Sequence, residues 1–174
     1  MNSRSQTDIQ DFYEKIMPLN YIVRYSNVPR IKNETVAEHS FLVAAIVIKL
    51  YDYYKFNLGY ALQMAICHDM PEFDVNDVTH GTKKKYPALA KEVERVQFKA
   101  LEEMPDAVQN AFYDFEAGIS AEACVVKLAD ILQCTQYAEN EVRMGNKGYM
   151  AEIVKESRRR AFELREALRD IERC

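Results

Sequence analysis

Residues 35–50 read TVAEHSFLVAAIVIKL. His39, Leu42, Val43, Ile46 and Leu50 recur at the three- and four-residue steps of a helix, so one face of this segment is read as a buried stripe. Thr35 followed three positions later by Glu38 is a capping-box signature; it sets the start of the helix, which the pattern carries to about residue 54. The same reading extends outward. Upstream, a helix over 7–17 stops at Pro18. Downstream, 58–70 is closed by Pro71 and a short helix covers 72–78. Further helices are expected over 87–103, over 106–116 before Gly118, over 121–144 before Gly145, and over 149–173. No run alternates apolar and polar residues as a half-buried strand would. The expected fold is all-α, a bundle of seven or eight helices.

Composition agrees with one globular unit. The chain has 174 residues, of which 48% are hydrophobic and 29% charged. Five glycines, five prolines and no internal repeat or low-complexity run leave a single domain over 1–174 as the simplest division. A net charge of -4 argues against binding to a nucleic-acid polymer, which needs a basic surface. The opening MNSRSQTDIQDF lacks the apolar stretch of a signal peptide, and no run approaches a membrane span. Cys67, Cys124, Cys134 and Cys174 form no C-x-x-C pair and are read as reduced thiols. A cytoplasmic protein that touches no membrane is the expectation.

The informative residues are ionisable groups on apolar helix faces. His39 opens the stripe of the helix at 36. Along 58–70 the stripe Leu58, Ala61, Leu62, Ala65 runs into His68 and Asp69. In ACVVKLADIL, residues 123–132, the charged residues are Lys127 and Asp130, three apart and on one face. Buried charge is costly unless it is paired or bound to a metal. A Lys127–Asp130 ion pair would account for those two. His39, His68, Asp69 and Asp130 together can instead converge in a bundle core on one divalent cation. Two nitrogens and two carboxylates without a thiolate suit Mn, Co, Fe, Mg or Zn. His80, in VTHGTKKK, is read as a loop residue outside this set, and Cys67 as core packing. The run Lys83, Lys84, Lys85 is read as a solvated loop, with the alternative that it holds the outer phosphates of a triphosphate.

The order His39, His68-Asp69, Asp130 resembles the H…HD…D signature of HD-domain phosphohydrolases. The context RYSNVPRIKNETVAEHS, ICHDMPEFDVNDVT and VVKLAD is similar to that of bacterial and phage HD 5'-deoxynucleotidases and small deoxynucleoside triphosphate hydrolases. The likeness covers roughly 21–140. It implies an HD-type helical bundle, a homo-oligomer, and a metal held by His39, His68, Asp69 and Asp130. It assigns Glu72 and Asp77 to the catalytic water or leaving group, and Arg24 and Lys127 to phosphate. Tyr25 stands where those nucleotidases carry Trp, a ring that reads the sugar. Ile22 and Tyr25 would then form an apolar wall for the base and sugar.

The residue types support these roles on their own chemistry. A carboxylate four residues from a ligating histidine can accept or deliver a proton. An arginine offers a planar fork to phosphate oxygens. The expected function is hydrolysis of a deoxynucleoside 5'-monophosphate. The close alternative is a triphosphohydrolase acting on a substrate such as dATP, and the alternative of another class is a non-catalytic metal- and nucleotide-binding module.

Overall fold

The computed structural model describes residues 3–172. Among these it contains nine α-helices: α1 (Ser3–Ile16), α2 (Val36–Leu50), α3 (Leu58–Cys67), α4 (Glu72–Val75), α5 (His80–Lys85), α6 (Pro87–Leu101), α7 (Asp106–Ala117), α8 (Ala121–Arg143) and α9 (Tyr149–Glu172). A 3-10 turn, Met17–Asn20, follows α1 where Pro18 bars further helix. The β-structure among the described residues is a lone bridge between Val23 and Thr35. The all-α expectation is borne out, and eight helices stand at the expected places. The ninth, α5, is a correction: His80 and the lysine run form a short helix, capped by Thr79, whose hydroxyl accepts from Thr82 N–H at 3.4 Å.

Local sequence explains the helix ends. Thr35 and Glu38 form both bonds of the capping box at the head of α2. Ser120 caps α8, its hydroxyl accepting from Ala123 N–H at 3.1 Å. Gly118 ends α7 with φ +65, a left-handed conformation that glycine adopts without cost. Three helices stop three or more residues short of their expected ends: α2 ends at Leu50 rather than near 54, α3 at Cys67 rather than at 70, and α4 at Val75 rather than at 78.

α8 is the central element. Its partners are α2, α3, α7 and α9, and the core lies where α2, α3 and α7 close on it. The buried face of α2 is Val36, His39, Val43, Val47 and Leu50. This corrects the expected stripe, since Leu42 is 42% exposed and Ile46 packs only at the core's edge. Cys67, Cys124 and Cys134 are buried and free, while Cys174 lies outside the described residues. No helix among the described residues is long and apolar enough to cross a membrane.

Candidate active site

Three helices deliver the four expected ligands to one point. His39 lies one turn into α2, whose capping box fixes the helix start, and its ring is fully buried. His68 is the C-cap residue of α3 and keeps helical angles, with its N–H on Met64 O at 2.8 Å. Asp69 follows in the turn before Pro71, and Asp130 projects from mid-α8. His39 Nε2 lies 3.2 Å from Asp130 Oδ1 and 3.4 Å from Asp69 Oδ2. His68 Nε2 lies 3.3 Å from Asp69 Oδ2 and 3.3 Å from His39 Nε2. Ligand atoms of His39, His68 and Asp130 all fall within 4.8 Å of one another.

The donor set fits a divalent cation. His68 Nδ1 lies 2.9 Å from Ala65 O, and His39 Nδ1 lies 2.7 Å from Gln133 Oε1. The Ala65 carbonyl only accepts, so His68 carries its proton on Nδ1 and turns an Nε2 lone pair to the shared point; His39 does the same when its Nδ1 donates to Gln133. Two lone pairs 3.3 Å apart have nothing between them to share unless a cation or a proton enters. Arg24 offsets Glu34, and Asp69 with Asp130 leaves two negative charges, matching one divalent ion.

Without that ion a proton takes its place. Burial works to lower the pKa of His68, but Asp69, Asp130 and the Ala65 carbonyl raise it to about 9. Burial works to raise Asp69, and His68, His39 and Arg24 outweigh it, holding the carboxylate well below its usual range. Asp130 is likewise held low against burial, through its bond to His39 and the charges of both rings.

Glu72 opens α4 beside this cluster. It is buried, and its Oε2 has no hydrogen-bond partner among the described residues. Burial, with the charges of Asp69 and Asp77, pushes its pKa well above the carboxylate range. Asp77 also braces the backbone here, since its Oδ2 accepts from Tyr25 N–H at 2.7 Å. Tyr25 sits at φ 56, unusual for a residue with a side chain, and stacks on Tyr137 with ring centres 5.5 Å apart. Asp77 therefore holds the backbone that aims this ring.

Arg24 is only 8% exposed. Its Nη1 reaches Glu34 Oε2 at 3.2 Å and Gln133 Oε1 at 3.3 Å, and its Nη2 reaches Cys134 Sγ at 3.3 Å. The guanidinium is anchored behind His39, and its positive charge reaches Asp69 and Asp130. Ile22 is a correction to the expected base wall: it is buried in the main core, so it lies behind the site. Lys127 stands one ring away from the centre. Its ammonium lies 5.3 Å from the Phe115 ring centre and donates to Glu116 O at 3.2 Å, while Phe115 packs 5.2 Å from the His68 ring. The Lys127–Asp130 ion pair does not form, because Asp130 faces His39 instead. The lysine run divides: Lys83 acts on Glu72 and Glu116, Lys84 on Glu156, and Lys85 lies over Tyr86.

Glu34, Gln133, Cys134 and Phe115 complete the surroundings and escaped the sequence reading. Gln133 had a detectable signal, an amide three residues after Asp130 on the apolar face of α8. Glu34 had none, since it precedes the helix in a polar stretch.

A family model for YfbR-like 5'-deoxynucleotidases matches residues 11–170. The chain belongs to this family. It is 32% identical over 127 residues to a 5'-deoxynucleotidase of Xenopus laevis, covering 66% of this chain and 60% of that one. It is 27% identical over 128 residues to a dATP triphosphohydrolase of Salmonella phage PMBT28, covering 68% of this chain and 61% of that one. This YfbR-like chain thus spans about three-fifths of the length of these curated relatives. Its fold resembles that of an HD-domain phosphohydrolase from Listeria innocua, with a TM-score of 0.75 at 20% identity, covering 91% of this chain and 82% of that one. The HD-type bundle expected from the H…HD…D order is therefore borne out.

Proposed function

We propose that this protein is a metal-dependent 5'-deoxynucleotidase, converting deoxynucleoside 5'-monophosphates to nucleoside and phosphate. The observation that carries this reading is the pair of Nε2 lone pairs, held 3.3 Å apart by acceptors on both Nδ1 atoms and flanked by two carboxylates. His39, His68, Asp69 and Asp130 are the ligands of one divalent ion, drawn from Mn, Co, Fe, Mg and Zn. That ion, when bound, polarises a phosphoryl oxygen and acidifies water. Glu72, kept protonated by burial and by its carboxylate neighbours, supplies the proton that the leaving 5'-oxygen requires and recovers the one that the attacking water releases. Asp77 orients Tyr25, whose ring forms the sugar-side wall together with Tyr137. The Arg24 charge offsets the developing charge of the phosphoryl group from behind His39. Lys127 acts across Phe115 as a more distant cation. We further propose that the whole domain works as a homo-oligomer in the cytoplasm, a reading that the exposed apolar Phe41 and Ile48 of α2 support.

A second reading, triphosphohydrolysis of a substrate such as dATP, is supported by one feature. The positive charge of Lys83 acts on Glu72 and Glu116, on the side where charge beyond the first phosphate would need a partner. Product analysis separates the two. Metal-loaded protein is incubated with dAMP and with dATP, and the phosphorus products are identified. Inorganic phosphate from dAMP supports the nucleotidase. Triphosphate from dATP, with dAMP left intact, favours the second reading. Hydrolysis of neither would overturn both.

A further inference from the structure

The histidine that bridges α2 to the centre receives two conflicting instructions at its rear nitrogen. Gln133 Oε1 lies 2.7 Å from His39 Nδ1 and can only accept, so it calls for a proton on Nδ1. Arg24 Nη1 lies 2.5 Å from the same nitrogen and can only donate, so it calls for a bare Nδ1 and a proton on Nε2. The second tautomer would aim its proton at His68 Nε2 and Asp130, and would close the point where a cation enters.

Glu34 touches both rivals. Its Oε1 accepts from Gln133 Nε2 at 2.6 Å, which fixes the amide with its oxygen toward His39. Its Oε2 accepts from Arg24 Nη1 at 3.2 Å, which gives that donor an acceptor that competes with His39 Nδ1. Glu34, Gln133 and Arg24 are all buried, so water offers no alternative partner. The network also joins distant parts of the chain: Glu34 directly precedes the N-cap of α2, and Gln133 lies on α8.

We propose that Glu34 is a positioning residue that sets the tautomer of His39, acting through Gln133 and against Arg24, so that Nε2 is free to bind metal. The inference rests on the metal-centre reading above. Without the Glu34 carboxylate the Gln133 amide is free to turn its NH₂ to Nδ1, and the guanidinium is free to donate there. Glu34→Gln retains one acceptor oxygen and can satisfy only one of the two donors. The exchange Glu34→Gln/Gln133→Glu reverses the polarity of the relay while keeping its output. A carboxylate at 133 accepts from Nδ1–H and from the amide at 34, and Arg24 retains a carboxylate within reach, since its Nη1 already lies 3.3 Å from the side-chain oxygen at 133.

The test titrates the full-length protein with Co²⁺, followed by its visible absorbance, and records the ¹⁵N spectrum of labelled histidine before metal is added. Glu34→Gln is expected to raise the Co²⁺ Kd by about tenfold to hundredfold, the usual effect of losing a group that orients a metal ligand. In that variant His39 should shift to the Nε2–H form, and the exchange variant should recover most of the affinity and the Nδ1–H spectrum. If Glu34→Gln fails to fold, Gln133→Met interrupts the relay while keeping the Glu34–Arg24 pair, and the same loss of affinity is expected. Wild-type affinity with an unchanged His39 spectrum in Glu34→Gln or Gln133→Met overturns the proposal, as does an exchange variant that binds no better than Glu34→Gln. A wild-type protein that takes up no Co²⁺ overturns the metal-centre reading itself, and the relay with it.

Discussion

Asp69 Oδ2 lies within 3.4 Å of the His39 and His68 rings, so its replacement disturbs the whole cluster. Asp69→Asn should lower bound metal by about tenfold or more, at least the loss expected for a group acting only through a ligand, with hydrolysis falling in step. Elemental analysis and phosphate release check this; unchanged values would rule out Asp69 as a ligand. Glu72→Gln should separate chemistry from binding. It keeps the metal, while kcat falls by about 10²-fold, as for a positioned acid–base group. It should also stabilise the metal-free fold. The folded pKa of Glu72 is raised, so its stabilising contribution is complete only below the unfolded value near 4.5 and is lost as pH rises through the raised one. At neutral pH the carboxyl therefore opposes folding, and the amide should raise Tm, as a scanning calorimeter would record. His39, His68, Asp69 and Asp130 were legible in the sequence because charge on an apolar stripe stands out, whereas Glu72 was singled out by the family resemblance. Gln133 was passed over, because an uncharged amide on the apolar face of α8 is a weaker signal than a charge there. Glu34 became visible only once folding joined it to a residue 99 positions away.

Helices were legible as segments but not at their ends. The apolar spacing carried α3 through His68 and Asp69, yet its assigned helix closes at Cys67 and leaves His68 as the cap. α5 was read as a loop because three consecutive lysines mask the cap supplied by Thr79. The helix divides the run, and this changes the expected effect of its removal. Lys83→Ser should raise KM by about threefold to tenfold through lost ground-state attraction, more for dATP than for dAMP, whereas Lys84→Ser/Lys85→Ser should leave both substrates near wild type. Equal effects from the two variants in steady-state kinetics would restore the picture of a uniform solvated run. At the head of α2, Thr35→Ala removes the capping hydroxyl and should cost about 1 kcal/mol in urea unfolding. A loss indistinguishable from zero would mean that packing alone fixes that end.

For the molecule as a whole, the proposed metal centre predicts that metal uptake is coupled to protons. His68 is raised to about 9 in the metal-free protein, against an ordinary value of 6.5. Its folded pKa is raised, so its contribution to metal-free stability is full below pH 6.5 and fades as pH rises toward 9. A cation displaces that proton, so apparent affinity should climb about tenfold per pH unit below pH 9, with about one proton released per ion at neutral pH. Calorimetry in buffers of different ionisation enthalpy counts the proton, and a count of zero would exclude His68 as the ligand that changes state. Sedimentation velocity tests the proposed homo-oligomer, which should sediment well above the 20.2 kDa chain. One anchoring contact bears on internal motion. Glu141 of α8 is fully buried, and its two oxygens accept from Ile31 N–H and Lys32 N–H, each at 2.7 Å. These amides belong to the connector that carries Arg24, Tyr25 and Glu34 between the 3-10 turn and α2. In deuterated solvent they should exchange at the slow rate of the central helix rather than at the rate of a surface loop. By that measure, the segment that supports the back of His39 opens only when α8 does.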